Sequence, residues 1–100
     1  MAVSSSYSAL DKELKISISG RFDFSIQKEF REAYRAHDAS LKYHVDLQNA
    51  DYLDSSALGM LLLLRKHAGD EKEKVTVSGA NAAVRKILDI AKFNKLFTIS

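Results

Sequence analysis

The chain has 100 residues, of which 46% are hydrophobic and 28% charged, and this composition is typical of one globular domain with a single core. Its 15 basic and 13 acidic residues leave a net charge of only +2, which does not favour nucleic-acid binding. The absence of cysteine excludes disulfides and thiolate metal sites. The longest apolar run, residues 57–64, is far shorter than the roughly 20 residues that cross a bilayer. We therefore expect one domain over residues 1–100, with no metal and no membrane span.

The first half of the chain predicts two strands, a helix and a further strand. Residues 1–6 are rich in serine and are expected to be a flexible N-terminus, and a weak signal at Tyr7–Leu10 allows a short edge strand. Residues 13–20 and 42–48 alternate between apolar and polar side chains, as half-buried strands do. Between them, Ser25 can cap a helix with an apolar stripe. The stripe comprises Ile26, Phe30, Ala33 and Tyr34.

The second half predicts two helices and two strands. Ser55 or Asp54 can cap a helix that ends before Gly69, a residue typical of helix termini. Residues 74–79 alternate as a strand, and a helix follows from about Asn81 to Ala91. Residues 97–99 can add a last strand. Strand–helix–strand units imply parallel pairing, and strands that alternate cleanly imply one water-facing side. We therefore predict an α/β fold with a mixed, mostly parallel sheet of four to five strands and helices packed on one face.

Three observations argue against catalysis by this chain. His37, His44 and His67 lack metal-ligand spacing and are interpreted as surface histidines. The chain has no glycine-rich phosphate loop. The segment "DSSALG" lacks the first glycine of a hydrolase elbow, and no histidine–acid pair accompanies it. We expect neither an enzyme nor a cofactor. A basic cluster near the end of the chain is interpreted as a solvated helix face; it comprises Arg85, Lys86, Lys92 and Lys95.

The pair Ser55 and Ser56 has two interpretations. Serine is a preferred N-cap, so the pair can be purely structural. Alternatively, one hydroxyl is phosphorylated, which adds about −1.5 to −2 charges beside Asp54. The following helix carries leucine or methionine around most of its circumference, so it is either buried between its neighbours or exposes an interaction patch. A modifiable hydroxyl beside such a patch would act as a switch.

The segment "DLQNADYLDSSALGMLLLLRKHAG" resembles the signature of the STAS domain, specifically that of the bacterial anti-sigma factor antagonists. "SISGRFDF" resembles the turn of that family that ends in aspartate, and "VTVSGANAAVRKILDIAKFNKLFTI" resembles its final strand and helix. The resemblance extends from about Leu14 to Ile99. This chain departs from the family at Ala57, where glycine is commoner, and at Asn81, where many members have a proline-containing helix entry.

The resemblance implies regulation of transcription by partner switching in the bacterial cytoplasm. In this family the unphosphorylated antagonist binds an anti-sigma factor that is a serine kinase of the histidine-kinase-like ATPase type. Phosphorylation of the serine after the aspartate ends the interaction, and a metal-dependent serine phosphatase of the PP2C type restores it. The phosphoacceptor is then Ser55, with Ser56 as the alternative. The expected partner-binding residues are Asp23, Asp54, Ser55, Ser56, Leu58 and Met60.

One further reading stays open within the same family. The chain can be a STAS subunit that is never phosphorylated, similar to the accessory protein of a lipid-transport ATPase complex. The serines would then be caps only, and the domain a constant structural partner of a transporter.

Overall fold

The structure is a computed structural model and describes residues 2–100. It contains five strands and three α-helices in one α/β domain, which confirms the predicted fold class. In chain order the elements are β1 (Val3–Ser8), β2 (Glu13–Phe22), α1 (Gln27–Arg35), β3 (Lys42–Leu53), α2 (Ser55–His67), β4 (Val75–Ser78), α3 (Ala82–Ile90) and β5 (Thr98–Ile99). Within residues 2–100 no helix has the length and apolar character that a membrane span needs.

The strands lie side by side in chain order. β1 is antiparallel to β2, and β2 to β5 are parallel. Each helix connects two neighbouring parallel strands in the same direction across the sheet, and right-handed crossovers of that kind place all helices on one face. The apolar members of the alternating strands are buried, as the sequence predicts. They include Leu14, Ile16, Ile18, Tyr43, Val45, Leu47, Val75 and Val77.

The start of the chain differs from the prediction. Residues 3–6 lie in β1 and pair with β2, so they are not a flexible N-terminus. An edge strand is present, as the weak signal at Tyr7–Leu10 suggests, but it lies earlier in the chain. It ends at Ser8, and the chain turns from Ala9, where the Leu10 side chain is 94% exposed. The Ser8 hydroxyl accepts from the Asp11 amide and donates to its carboxylate, which closes this turn. Met1 lies outside the described residues.

β3 continues to Leu53, beyond the end that the alternation predicts. Its register against β2 shifts twice, between Ser17 and Ser19 and between Gly20 and Arg21. Because each shift inserts an extra residue in β3, the residues that face the core change spacing there. They are Leu47, Ala50 and Leu53. The irregular half of β3 thus leads the chain to the candidate site without exposing the apolar residues.

Candidate functional site

The candidate site begins where β3 ends and α2 starts. Asp54 is the N-cap, and its Oδ1 accepts from the Ser56 amide at 3.0 Å and the Ala57 amide at 3.2 Å. Ser55 is the first residue of the helix, so the cap that sequence analysis leaves open between the two residues belongs to Asp54. A carboxylate at this position satisfies unpaired amides and opposes the positive end of the helix dipole.

The two serine hydroxyls have different environments. The Ser56 hydroxyl donates to Asp54 Oδ1 at 2.5 Å, and Ser56 is partly buried. Ser55 is exposed, and its hydroxyl makes no hydrogen bond to any part of the chain that the structure describes. Only one of the two hydroxyls is therefore presented to solvent without a competing partner.

Three amides in the first turn of α2 are already satisfied, those of Ser56, Ala57 and Leu58. Asp54 takes the Ser56 and Ala57 amides through its carboxylate and the Leu58 amide through its carbonyl oxygen, at 3.2 Å. A phosphate on Ser55 would therefore extend into solvent rather than replace the cap. Such a group changes the charge of the surface while leaving the start of the helix intact.

A second turn of the same construction follows β2. The Oδ1 atom of Asp23 accepts from the Ser25 amide at 2.9 Å and from the Ser25 hydroxyl at 2.5 Å. The predicted cap at Ser25 is thus wrong, since Asp23 caps the short 3-10 turn that leads into α1. Phe22 is the register partner of Leu53, so the two aspartates follow the ends of neighbouring strands.

Both carboxylates are held in the ionised form. Hydrogen bonding from the Ser56 hydroxyl is the main cause that lowers the pKa of Asp54, although desolvation and, less strongly, the nearby charge of Asp23 oppose it. The Ser25 hydroxyl and amide lower the pKa of Asp23 in the same way. The site therefore holds two carboxylates, of which Asp23 is paired with Arg21, and another negative charge on Ser55 would add to them.

Exposed aromatic side chains border these turns. Phe24, between Asp23 and Ser25, is 66% exposed, and Tyr52 is 36% exposed. The Arg21 guanidinium lies 3.7 Å from the centroid of the Tyr52 ring, and its Nε is 3.2 Å from Asp23 Oδ2. The sequence did not lead us to Phe24, Tyr52 or Arg21. The repeated Asp-x-Ser triplet is a signal for the turn that holds Phe24, whereas Tyr52 and Arg21 lie outside the triplets.

The apolar side chains of α2 divide into a buried and an exposed set. Met60 is only 4% exposed and packs in the core, so its predicted place on a partner-binding surface is wrong. It belongs to a stripe with helical spacing, which also contains Ala57, Leu61 and Leu64. Leu58 is partly buried against the core. The exposed leucines are Leu62, at 41%, and Leu63, at 54%.

The three histidines lie away from Ser55 and are partly buried rather than free on the surface. His67 contacts the carbonyl oxygen of His37. On the polar sheet face, His44 Nε2 is 2.5 Å from Ser78 Oγ and its Nδ1 is 3.6 Å from a Glu13 carboxylate oxygen. Glu13, His44 and Ser78 lie on three different strands, so their proximity depends on strand pairing and cannot be seen in the sequence.

The Glu13–His44–Ser78 grouping has the residue types of a hydrolase triad. The cross-strand partner of Ser78 is Asp46, however, whose negative charge would disfavour an oxyanion at that position. Within residues 2–100 no three histidine or carboxylate side chains cluster as metal ligands.

Comparisons with known proteins agree with this architecture. Residues 5–98 match the family model described as "Mlab, STAS domain". The chain is 52% identical to the STAS-domain containing protein PA14_20770 of Pseudomonas aeruginosa (strain UCBPP-PA14), over the full length of both.

Two solved proteins share the fold. The anti-sigma factor antagonist SpoIIAA in its unphosphorylated form has a TM-score of 0.79 at 13% identity, covering 99% of this chain and 88% of that one. The phosphorylated form of this Bacillus cell fate determinant has a TM-score of 0.66 at 12% identity, covering 99% and 91%. A sulfate transporter family protein from Wolinella succinogenes has a TM-score of 0.68 at 12% identity, covering 93% of this chain and 80% of that one.

The family match covers nearly the whole chain, and the close relative covers all of it. This protein belongs to the STAS domain family.

Proposed function

We propose that this protein is an anti-sigma factor antagonist that acts by partner switching. Its unphosphorylated form binds an anti-sigma factor that is also a serine kinase of the histidine-kinase-like ATPase type. Phosphorylation of Ser55 by that kinase ends the interaction, and a PP2C-type phosphatase restores it. The protein contributes a regulated surface and no catalysis. We infer a cytoplasmic location, since the kinase uses ATP.

The observation that carries the proposal is the difference between Ser55 and Ser56. A kinase needs a hydroxyl that can reach its active site, and Ser55 is exposed on the first turn of α2. The Ser56 hydroxyl is engaged by Asp54 at 2.5 Å. This favours Ser55 as the acceptor over Ser56. The structural likeness to SpoIIAA, known in unphosphorylated and phosphorylated forms, supports the same function.

The surroundings of Ser55 explain how a phosphate would act. An apolar contact through Phe24 and Tyr52 suits a protein partner, and Asp23 and Asp54 already make this surface acidic. A phosphate adds about −1.5 to −2 charges there. Because a partner that accommodates the acidic surface would also have to desolvate the phosphate, we expect affinity to fall by about 100-fold or more.

The test uses the full chain and a serine-kinase-type anti-sigma factor from the same organism. Incubation with ATP should add one phosphate, which tandem mass spectrometry should locate on Ser55. We expect Ser55→Ala to bind the kinase with the affinity of the unmodified protein and Ser55→Glu to bind it weakly. Ser56→Ala is the matched control, since it removes the neighbouring hydroxyl and should still be phosphorylated. Phosphate on Ser56 alone, or equal affinities of the Ala and Glu variants at position 55, would contradict the proposal.

The structural likeness to a sulfate transporter family protein favours a second candidate. In this alternative the domain is a constant subunit of a transporter, comparable with a lipid-transport ATPase complex. The two candidates differ in their response to charge at Ser55. Co-purification with a transporter ATPase that persists in Ser55→Glu, together with no phosphate after incubation with the kinase, would favour the transporter subunit.

A further inference from the structure

The free edge of the sheet at β1 lacks the usual protection against pairing. Within residues 2–100 no strand pairs with its outer side. Its sequence, VSSSYS, has no charged residue and no proline, and its pairing with β2 shows no bulge. Natural edge strands normally carry at least one of these features, because an open row of backbone groups recruits other strands. The outer backbone groups of β1 can therefore form hydrogen bonds with another strand.

The hydrogen-bond pattern defines which backbone groups are free. The Ser19 amide donates to the Ala2 carbonyl oxygen at 2.8 Å, so the backbone groups of Ala2 point toward β2. In an antiparallel pair the direction alternates along the strand. The backbone N–H and C=O groups of Val3, Ser5 and Tyr7 therefore point away from the sheet, and those of the residues between them pair with β2.

The side chains of these same three residues lie on the helix-covered face. Val3, Ser5 and Tyr7 pair in register with Ile18, Ile16 and Leu14, which are all buried.

Next to them an open groove of about 380 Å³ runs between β1 and α1. Its walls include Val3, Ser5, Lys28, Glu32 and Ala33. The small Ser5 side chain leaves this space unfilled. The large Tyr7 side chain is 51% exposed, and its ring stacks on His37 with 5.7 Å between the ring centroids.

We propose that β1 pairs with β1 of a second copy of this chain. In an antiparallel arrangement with Ser5 at the two-fold axis, Val3 lies opposite the second copy's Tyr7. By symmetry, Tyr7 lies opposite the second copy's Val3. All outward backbone groups of the three residues are then satisfied. The second copy's Tyr7 stands beside Val3, on the face that lines the groove. Its ring fills the space that Ser5 leaves by turning away from the His37 of its own chain. A strand that presents both the groove and the side chain that fills it is self-complementary, as a two-fold interface requires.

This interface is separate from the candidate phosphorylation site. β1 pairs with residues 13–18, whereas the two aspartate turns follow Phe22 and Leu53. Both copies of Ser55 remain accessible in the dimer. The proposal therefore does not rest on the proposed function, and each can fail alone.

Engineered cysteines test the register, because the natural chain has none. In the proposed dimer the two Ser5 positions form a hydrogen-bonded pair with Cα atoms about 5.5 Å apart, within the range of a disulfide. We expect Ser5→Cys to form a disulfide dimer of twice the 11.2 kDa chain under mild oxidation. Ser6→Cys is the matched control. Its two copies lie diagonally, about 7–8 Å apart, and should remain mostly uncrosslinked.

Solution mass tests the interface without a crosslink. Sedimentation of the wild-type chain should show a mass that rises toward the dimer with concentration. Ser5→Pro removes one outward N–H that β2 does not use, so it should stay monomeric with an unchanged circular dichroism spectrum. Ser5→Ala should still dimerise.

A wild-type chain that is monomeric at millimolar concentration would overturn the proposal. Equal amounts of disulfide dimer from Ser5→Cys and Ser6→Cys would also overturn it. So would a Ser5→Cys chain that forms a disulfide only with a different protein and not with a second copy of itself.

Discussion

The turns Asp23–Ser25 and Asp54–Ser56 are two copies of one local structure with different central residues. In each, the aspartate Oδ1 accepts from the amide and hydroxyl of the serine two residues later, with the hydroxyl at 2.5 Å. The central residue is Phe24 in the first turn and Ser55 in the second, and both are exposed. Asp38–Ser40 forms the same hydrogen bonds around Ala39, away from the ends of β2 and β3.

In both turns, the residues that hold the backbone differ from the residue that is presented to solvent. The outer residues of each triplet fix the turn, so the central side chain is not needed for folding. In the proposed function, one turn would use this freedom for an apolar contact with the partner, and the other for a hydroxyl that the kinase modifies. Because the turns follow neighbouring strands, one partner surface can contact both.

Among substitutions that only remove a contact, the largest expected effect concerns the apolar turn. Phe24→Ala should weaken binding to the anti-sigma kinase by about 30-fold, the loss expected for an aromatic hot spot of about 2 kcal/mol. The urea midpoint should change little, because Phe24 is 66% exposed in the free chain. Isothermal titration calorimetry and urea denaturation measure the two quantities.

Ile90→Ala is the matched control for that change. Ile90 is 71% exposed at the end of α3, so its truncation removes a similarly exposed apolar group away from the turns. Equal losses of affinity for the two variants would show that Phe24 has no special role in binding. The turn at Asp23 would then not share a partner surface with the turn at Asp54.

An intermediate effect is expected in acid, where the two turns should behave alike. The folded-state pKa values of Asp23 and Asp54 lie below the ordinary value, chiefly because of the hydroxyls of Ser25 and Ser56. A lowered pKa means that the unfolded chain binds protons more readily. The stabilisation is thus present above the ordinary carboxyl pKa of about 4 and is lost as pH falls through the lower folded values.

Asparagine variants isolate this contribution. Asn is also a good N-cap, so Asp23→Asn and Asp54→Asn retain a side-chain acceptor but cannot be protonated in this range. Between pH 6 and about pH 3 we expect the urea midpoint of the double variant to fall less than that of the wild type. Asp38→Asn should give a similar single-site reduction, since Ser40 lowers the pKa of Asp38 in the same way. A double variant with the full acid sensitivity of the wild type would contradict this prediction.

The regular elements were predictable because their packing follows a simple period. Residues 13–20 alternate without interruption and form most of β2, and the residues that follow Asn81 form α3 as the helical spacing indicates. The second half of β3 was not predictable in this way, since two register shifts change the spacing of its buried residues. β1 was predicted only weakly and too late in the chain, because serines that pair through the backbone leave no apolar signal.

The local structure around the candidate residues was predicted only in part. The serine pair lies at the start of a helix, as the sequence predicts, and the two aspartates follow neighbouring strands. Met60 was assigned to the surface because the leucine-rich run conceals which side of α2 faces the core. Phe24 and Tyr52 were missed because proximity across β2 and β3 depends on the strand register, which local pattern does not specify.

The smallest effects should come from the serines that close the two turns. Ser25→Ala and Ser56→Ala each remove one hydroxyl donor and leave the aspartate bonded to backbone amides. We expect small decreases of similar size in the urea midpoint, and affinity changes below about fivefold, as for most contacts outside hot spots. Ser40→Ala supplies the reference for a turn outside the proposed surface. If Ser56→Ala alone abolished phosphorylation at Ser55, the hydroxyl of Ser56 would have a role beyond closing its turn, and the two turns would not be equivalent.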